Sequence, residues 1–179
     1  IYMTEERMIH MDNKAQFIAR VAILIALTLA IQFLSLPQPI TGPLVNFFLY
    51  MSVLLIGIPG GIILGAITPW IALVVGIMPL APVVPLIMAG NIVLVIVFGL
   101  VKKVNNYLAI AVASVAKFLV LATSVRYLIQ LPPKVAPKVI KLLSLPQLFT
   151  ALAGGVLALV VMTILKRTKA YDQIKGQAK

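Results

Sequence analysis

Lys117 raises the first chemical question in the chain. It lies within the apolar stretch YLAIAVASVAKFLVLATSVRYLIQ, residues 107–130. An ammonium group in such surroundings costs several kcal/mol unless something compensates its charge. The acids of the chain all lie near its ends: Glu5, Glu6, Asp12 and Asp172. The compensation must therefore come from backbone carbonyls, water in a cavity, loss of the proton, an anionic ligand, or a partner subunit or lipid.

Trp70 and Asn91 are polar exceptions in two further apolar stretches. Counted inward at 1.5 Å per residue, both reach a depth similar to that of Lys117, about 15 Å. A tryptophan at such a depth favours a buried role, in which its ring can stack on a planar ligand. We predict that these residues and nearby hydrogen-bonding side chains form a substrate-binding site. The predicted set is Lys117, Asn91, Trp70, Thr68, Ser114, Ser124, Asn46 and Gln38.

The residues that share the helix face of Lys117 give partial support for a cavity beside it. At about 100° per residue, its face is shared by Ile110, Ala113, Ser114, Val120, Leu121 and Ser124. The small and hydroxylated members suit a cavity wall, whereas the larger aliphatic ones suit ordinary helix packing. Arg126 points about 180° away. We predict that it anchors the outer end of the helix by reaching headgroups or loops.

Prolines interrupt the stretch GAITPWIALVVGIMPLAPVVPLIMAGN, residues 65–91. Pro69 lacks an N–H, so it frees carbonyls near residues 65 and 66, which either serve a polar site or only accompany a packing kink. The uncharged segments LPQPITGPLVN and MPLAPVVP are predicted to be stiff outward loops, either plain connections or a pocket rim. In a pocket rim, Gln38, Thr41 and Asn46 offer hydrogen bonds from above.

The residue types that most catalysis requires are missing. The chain has no cysteine, and its one histidine, His10, lies in a polar N-terminal segment. Without a carboxylate pair in the apolar body, acid–base, hydrolytic and metal chemistry are disfavoured, and we predict no enzyme, metal site or cofactor. The sequence has no Walker A pattern GxxxxGK[ST], so any ATP hydrolysis is expected on another polypeptide.

The elements that hold these residues are predicted to be membrane-spanning helices. Of the 179 residues, 62% are hydrophobic, against about 45–50% in soluble domains. Spans near the roughly 20 residues needed to cross a bilayer are predicted at 16–35, 44–58, 60–77, 84–101, 107–130 and 147–165. The predicted fold class is an all-α integral membrane protein, a compact bundle of six transmembrane helices. Residues 1–15 are predicted to form a polar N-terminal tail, 16–167 the membrane domain and 168–179 a cytoplasmic tail.

The basic residues indicate the orientation. The net charge is +11, and ten Lys and Arg residues fall on one predicted face against three on the other, Lys134, Lys138 and Lys141. Both termini are therefore predicted to be cytoplasmic in a multi-pass protein of the cell membrane. The three exceptions lie in VAPKVIKLL, a predicted amphipathic segment at the outer interface. Because basic residues that flank apolar spans meet anionic lipid headgroups, we predict membrane lipid and no nucleic acid as a partner.

Small residues recur along the first predicted span. The alanine stripe consists of Ala15, Ala19, Ala22, Ala26 and Ala30. Spacings of four and three place them on one helix face, where another helix can approach closely. That helix belongs either to this bundle or to a partner subunit. Gly61, Gly65, Gly154 and Gly155 offer similar close contacts.

These features together resemble a known family. Six spans in under 200 residues, the stripe ARVAILIALTLA, the Pro/Gly-rich first loop and the pattern GAITPWIALVVGI…APVVPLIMAGN are similar to the substrate-binding S component of an energy-coupling factor (ECF) transporter. The resemblance implies high-affinity capture of a vitamin-like micronutrient on the outer side. It also implies a transmembrane coupling subunit that docks on the alanine stripe, and two ATPase subunits. Family binding residues vary with the ligand, so no contact beyond the stripe is carried over.

Two other classes of function remain open. An autonomous small-molecule carrier requires a continuous polar path and usually repeated halves, and the sequence shows no clear repeat. A non-transporting membrane scaffold uses the alanine stripe without any pocket. In the S-component interpretation, Lys117 without a resident acid favours a small anionic ligand, and Trp70 permits an aromatic portion.

Overall fold

The computed structural model describes residues 2–77, 80–127 and 131–168, with side chains described from residue 14 onwards. This part of the chain is helical and has no strand. The helices are α1 (Tyr2–Phe33), α2 (Gln38–Leu55), α3 (Ile58–Val74), a short 3-10 helix (Ala81–Val83), α4 (Val84–Val101), α5 (Asn106–Tyr127), α6 (Ala136–Leu142) and α7 (Leu145–Leu165).

Five helical segments of the described chain are long and apolar enough to cross a membrane. They include α1, α2, α4, α5 and α7, whereas α3 is also apolar but has only 17 residues. The predicted all-helical fold is confirmed, and the chain has the composition of a helical membrane bundle. Helix α4 has the predicted bounds, and α1 begins at Tyr2, well before the predicted residue 16. The predicted C-terminal tail lies almost entirely outside the described residues.

The segment LPQPITGPLVN was wrongly predicted to be a loop. Helix α2 begins at Gln38, so most of this segment is helical. Pro39 is tolerated because it lies in the first turn, where backbone N–H groups have no partner within the helix. Pro43 lies inside the same helix. Gln38, Thr41 and Asn46 therefore lie on one helix instead of in the predicted stiff loop.

The core forms where α2, α4, α5 and α7 meet. Tyr50 and Phe98 are fully buried there, in an edge-to-face pair with ring centroids 4.8 Å apart. The Tyr50 hydroxyl and Ser114 Oγ are 3.0 Å apart and share a hydrogen bond. This contact joins α2 to α5 and satisfies both buried hydroxyl groups.

Lys102 fastens the C-terminal end of α2 to the end of α4. Its Nζ donates a hydrogen bond to the Val53 carbonyl at 2.7 Å. The last carbonyls of a helix lack partners within it, and a cation near them is favourable. Burial lowers the pKa of the Lys102 ammonium, and the neighbouring Lys103 charge lowers it further.

At the opposite end of the bundle, Arg126 ties α5 to the junction between α6 and α7. Its guanidinium donates to the Ala122 carbonyl at 2.7 Å and to Ser144 Oγ at 3.1 Å. The predicted segment VAPKVIKLL contains α6, which buries Val139 and exposes Lys138 and Lys141. Arg126 therefore reaches a neighbouring connection, as predicted.

Helix α1 is the least buried of the long helices. Only 11% of its apolar window is buried, against 50% for α5. Val21, Leu24 and Thr28 face the bundle, whereas every residue of the alanine stripe is exposed. The stripe therefore does not serve packing within this bundle, and that interpretation is wrong.

Candidate functional site

Lys117 is buried in the middle of α5, with 3% of its surface exposed. Its Nζ donates to Asn46 Oδ1 of α2 at 2.6 Å and to Asn91 Oδ1 of α4 at 2.8 Å. We call these three residues the lysine–asparagine cluster. Within the described residues the Nζ has no other hydrogen-bond acceptor, so two of the three N–H groups of the ammonium are used.

The two asparagine side chains are oriented by their own amide donors. Asn46 Nδ2 donates to the Gly42 carbonyl at 2.9 Å and to Thr150 Oγ1 at 3.3 Å. Asn91 Nδ2 donates to the Gly65 carbonyl at 3.4 Å. Because the amide nitrogens are engaged elsewhere, both amide oxygens face Lys117. The cluster therefore provides the amine with two neutral acceptors and with no negatively charged partner.

Pro69 explains why the Gly65 carbonyl is available. In a regular helix this carbonyl accepts from the N–H four residues later, which is residue 69. Proline has no N–H, and its ring displaces the carbonyl of the preceding turn. The predicted use of a freed carbonyl near residue 65 by a polar group is confirmed by its hydrogen bond from Asn91.

Two glycines allow the asparagines to approach neighbouring helices. A Cβ at Gly154 of α7 would lie 2.7 Å from Asn46 Cβ and 2.5 Å from the Pro43 carbonyl oxygen. A Cβ at Gly65 of α3 would lie 3.1 Å from Asn91 Cβ. Side chains at these two positions would push α7 away from α2, or α3 away from α4. Both glycines thus determine how closely the asparagine-bearing helices pack.

A cavity of about 110 Å³ lies beside the cluster. All of α1 to α5 and α7 contribute to its wall. The lining residues are Gln32, Gln38, Thr41, Gly42, Val45, Asn46, Thr68, Pro69, Ile87, Asn91, Lys117 and Gln147. The cavity runs from Lys117 towards the end of the bundle where α1 ends and where α2 and α7 begin. Its wall has one cation and several neutral hydrogen-bonding groups.

Five of the predicted binding residues line this cavity: Lys117, Asn91, Asn46, Thr68 and Gln38. Lys117 and Asn91 lie at the same depth, as their contact shows. The Thr68 hydroxyl donates to the Leu64 carbonyl at 2.7 Å, so its oxygen remains an acceptor at the cavity wall. Of the three residues grouped by depth, the structure thus brings Lys117 and Asn91 together at the cavity.

Trp70, Ser114 and Ser124 were predicted to belong to the binding site, but they do not line the cavity. Trp70 is 44% exposed on the outside of α3, with its Nε1 donating to Met88 Sδ at 3.3 Å. Residues 61, 65, 68 and 72 face inwards, and at 100° per residue Trp70 lies nearly opposite to them. Ser114 is buried against Tyr50, and Ser124 is buried two turns beyond Lys117.

Sequence reasoning missed Gln32 and Gln147, which both line the cavity. Gln147 Nε2 donates to the Leu142 carbonyl at 3.4 Å. Both lie at ends of helices and looked like ordinary interfacial residues. The structure brings the ends of α1, α2 and α7 together, so that the side-chain amides of Gln32, Gln38 and Gln147 lie around one opening.

No group of three or more His, Cys, Asp or Glu residues that could hold a metal ion occurs in the described chain. The site chemistry is therefore that of a cation among neutral amides and hydroxyls. Such a set can bind an anion and orient it by hydrogen bonds. No protein-family model, curated protein or solved structure matches the chain.

Proposed function

We propose that the chain is a membrane-embedded subunit that captures a small anionic, vitamin-like molecule at Lys117 and acts as the S component of an ECF-type importer. One observation carries this proposal. The buried Lys117 amine borders a cavity and donates to two neutral amide oxygens. The chain has no acid between residues 13 and 171 to neutralise it.

The charge of Lys117 favours an anionic ligand over a neutral one. Amide oxygens can accept hydrogen bonds from an ammonium group, but they do not neutralise its positive charge. That charge is costly in surroundings of low dielectric constant. A ligand carboxylate that accepts the third N–H supplies the missing charge and forms a charge-assisted hydrogen bond. The two asparagines then keep the amine pointed at the ligand.

The size and wall of the cavity restrict the ligand. Small-molecule pockets usually measure about 300–1,000 Å³, whereas this cavity measures about 110 Å³. An anionic group and the atoms next to it fill that volume. The remainder of a vitamin-sized ligand then lies among Gln32, Gln38 and Gln147, and these amides offer both donors and acceptors to a polar ring or chain.

The proposed orientation gives the cavity an outward-facing mouth. If both termini are cytoplasmic, as the basic residues predict, the starts of α2 and α7 lie on the outer side of the membrane. The ligand then enters from outside, and Lys117 receives its charged end at depth. A coupling subunit on the alanine stripe and two ATPase subunits supply the transport step in this proposal.

A binding experiment on the purified full-length chain tests the proposal. Native mass spectrometry from detergent is expected to detect a copurifying carboxylated or otherwise anionic small molecule. Lys117→Gln keeps N–H donors for the two asparagine oxygens while removing the charge, so it is expected to unfold at a similar temperature and lose the ligand. Lys138→Gln, at an exposed cation, is the control and is expected to retain it. Retention of the ligand by Lys117→Gln would contradict the proposal.

A membrane scaffold is the second candidate function. It is favoured by the same hydrogen bonds, because Asn46 and Asn91 already compensate part of the cost of burying Lys117. In that case no ligand copurifies with the parent chain, and Lys117→Gln changes only its stability. Uptake by the chain alone in liposomes would instead identify an autonomous carrier.

A further inference from the structure

A second concave site lies at the other end of the bundle, between the first turn of α5 and the last turns of α7. It has a volume of about 290 Å³ and is lined by Tyr107, Val156, Leu159, Val160, Thr163, Ile164 and Arg167. We call it the α5–α7 groove. None of its residues lines the cavity beside Lys117, so the two sites are separate.

The groove changes from apolar to basic along its length. Val156, Leu159, Val160 and Ile164 recur at helical spacing on α7 and extend over about 12 Å at 1.5 Å per residue. Arg167 follows just beyond the end of that helix, and Tyr107 faces it from the start of α5. An apolar trough that ends in a guanidinium and a phenol matches a molecule with an acyl chain and an acidic head.

Among the side chains that the structure describes, no acid pairs with the basic end of the groove. Lys103, Lys166 and Arg167 are all exposed at this end of the bundle. Within the described residues, the Arg167 side chain has no hydrogen bond or ion pair, and the chain has no acid between residues 13 and 171. An arginine binds a phosphate through two parallel N–H groups, more selectively than a lysine does.

We propose that the α5–α7 groove binds one phospholipid with an anionic headgroup. The phosphate accepts hydrogen bonds from Arg167 and from the Tyr107 hydroxyl, and one acyl chain lies along Val156 and Val160 towards the centre of the bundle. The position at the helix ends suits this arrangement, since headgroup and hydrocarbon meet there. The proposal is independent of any ligand at Lys117.

Lipid binding is tested with the full-length chain in a neutral detergent. Added phosphatidylglycerol is expected to raise the unfolding temperature and to remain as a single adduct in native mass spectra, whereas phosphatidylcholine is expected to do neither. Inorganic phosphate is the third probe, and it is expected to have no effect because it lacks an acyl chain. Equal stabilisation by phosphate or phosphatidylcholine would overturn the proposal.

Two variants separate the headgroup from the acyl chain. Arg167→Gln is expected to weaken phosphatidylglycerol retention about fivefold, the loss expected for one basic residue near a membrane surface. Val160→Trp leaves the charge unchanged and fills the apolar part of the groove, so it is expected to weaken retention as well. Lys138→Gln, an exposed cation at the opposite end, is the matched control. Undiminished retention in either groove variant would overturn the proposal.

Discussion

Neutral amides hold the one lysine that is buried in the described part of the chain. Asn46 and Asn91 point their oxygens at Lys117 because their nitrogens donate to backbone carbonyls and to Thr150. An aspartate at either position would have formed a resident ion pair with the lysine. Asparagine of nearly the same shape provides hydrogen bonds and leaves the positive charge uncompensated. In the proposed function, an anionic ligand supplies the missing negative charge.

Asn91→Asp is expected to replace the ligand with a resident carboxylate. The new carboxylate lies where Asn91 Oδ1 now lies, 2.8 Å from Lys117 Nζ, and neutralises it. The loss of the long hydrogen bond to Gly65 is small by comparison. We expect the unfolding temperature to be maintained or raised, and affinity for an anionic ligand to fall at least about tenfold, or about 1.4 kcal/mol. Isothermal titration and thermal unfolding measure the two effects.

The control for that variant is Asn106→Asp, which makes the same chemical change at an exposed position at the start of α5. It is expected to leave affinity unchanged. If Asn91→Asp binds the ligand as tightly as the parent chain, the positive charge of Lys117 is not what the ligand recognises.

Gly154→Ala is expected to destabilise the packing of α7 against α2. The added Cβ would lie 2.5 Å from the Pro43 carbonyl oxygen and 2.7 Å from Asn46 Cβ, so α2 and α7 must separate. Overpacking of this kind typically costs about 1–3 kcal/mol. Ala153→Ser adds one heavy atom at the exposed neighbouring position and is expected to have little effect. Equal denaturation midpoints for the two variants would show that α2 and α7 tolerate a wider spacing.

Helix α3 uses a proline to provide a hydrogen-bond acceptor. Pro69→Ala restores an N–H that can bond to the Gly65 carbonyl, and mid-helix proline costs about 3 kcal/mol in ordinary helices. The variant is therefore expected to be more stable than the parent chain. The carbonyl turns back towards the helix axis, and its bond from Asn91, already 3.4 Å long, is weakened. We expect ligand affinity to fall while the unfolding temperature rises.

Pro59→Ala is the matched control, since Pro59 lies exposed in the first turn of the same helix. It is expected to leave affinity unchanged. Affinity and stability that rise together in Pro69→Ala would show that the freed carbonyl has no part in orienting Asn91.

The helices could be predicted from the sequence because long apolar runs determine them. The start of α2 could not, because Pro39 and Pro43 suggest a loop, whereas Pro39 lies in the first turn and Pro43 is accommodated inside the helix. Depth along each helix correctly grouped Lys117 with Asn91. It failed for Trp70, because depth says nothing about which side of the helix faces inwards. Gln147 was missed because its role depends on how the ends of three helices meet.

The described bundle has a polar cavity that opens towards one end, a groove with a basic end at the other, and one sparsely covered side. The cavity beside Lys117 is directed towards the starts of α2 and α7, and the exposed basic residues of the α4–α5 and α7 ends lie at the other end. Helix α1 covers the side between them, with its alanines turned outwards. The proposed ligand site and the proposed docking surface are therefore separate and can be mutated independently. This separation makes the proposed division of labour testable by mutation.

Ala22→Leu combined with Ala26→Leu is expected to abolish coupled uptake while leaving ligand affinity intact. Both residues are exposed on α1, and leucine there prevents the close approach of a partner helix that small residues permit. The measurement is uptake in cells that coexpress an ECF coupling subunit and its ATPases, beside titration of the purified chain. Ala111→Leu with Ala153→Leu, exposed on α5 and α7, is the control and should transport normally. Normal uptake by the α1 variant would remove the alanine stripe from the docking surface, because two bulky side chains cannot be accommodated in a close helix contact.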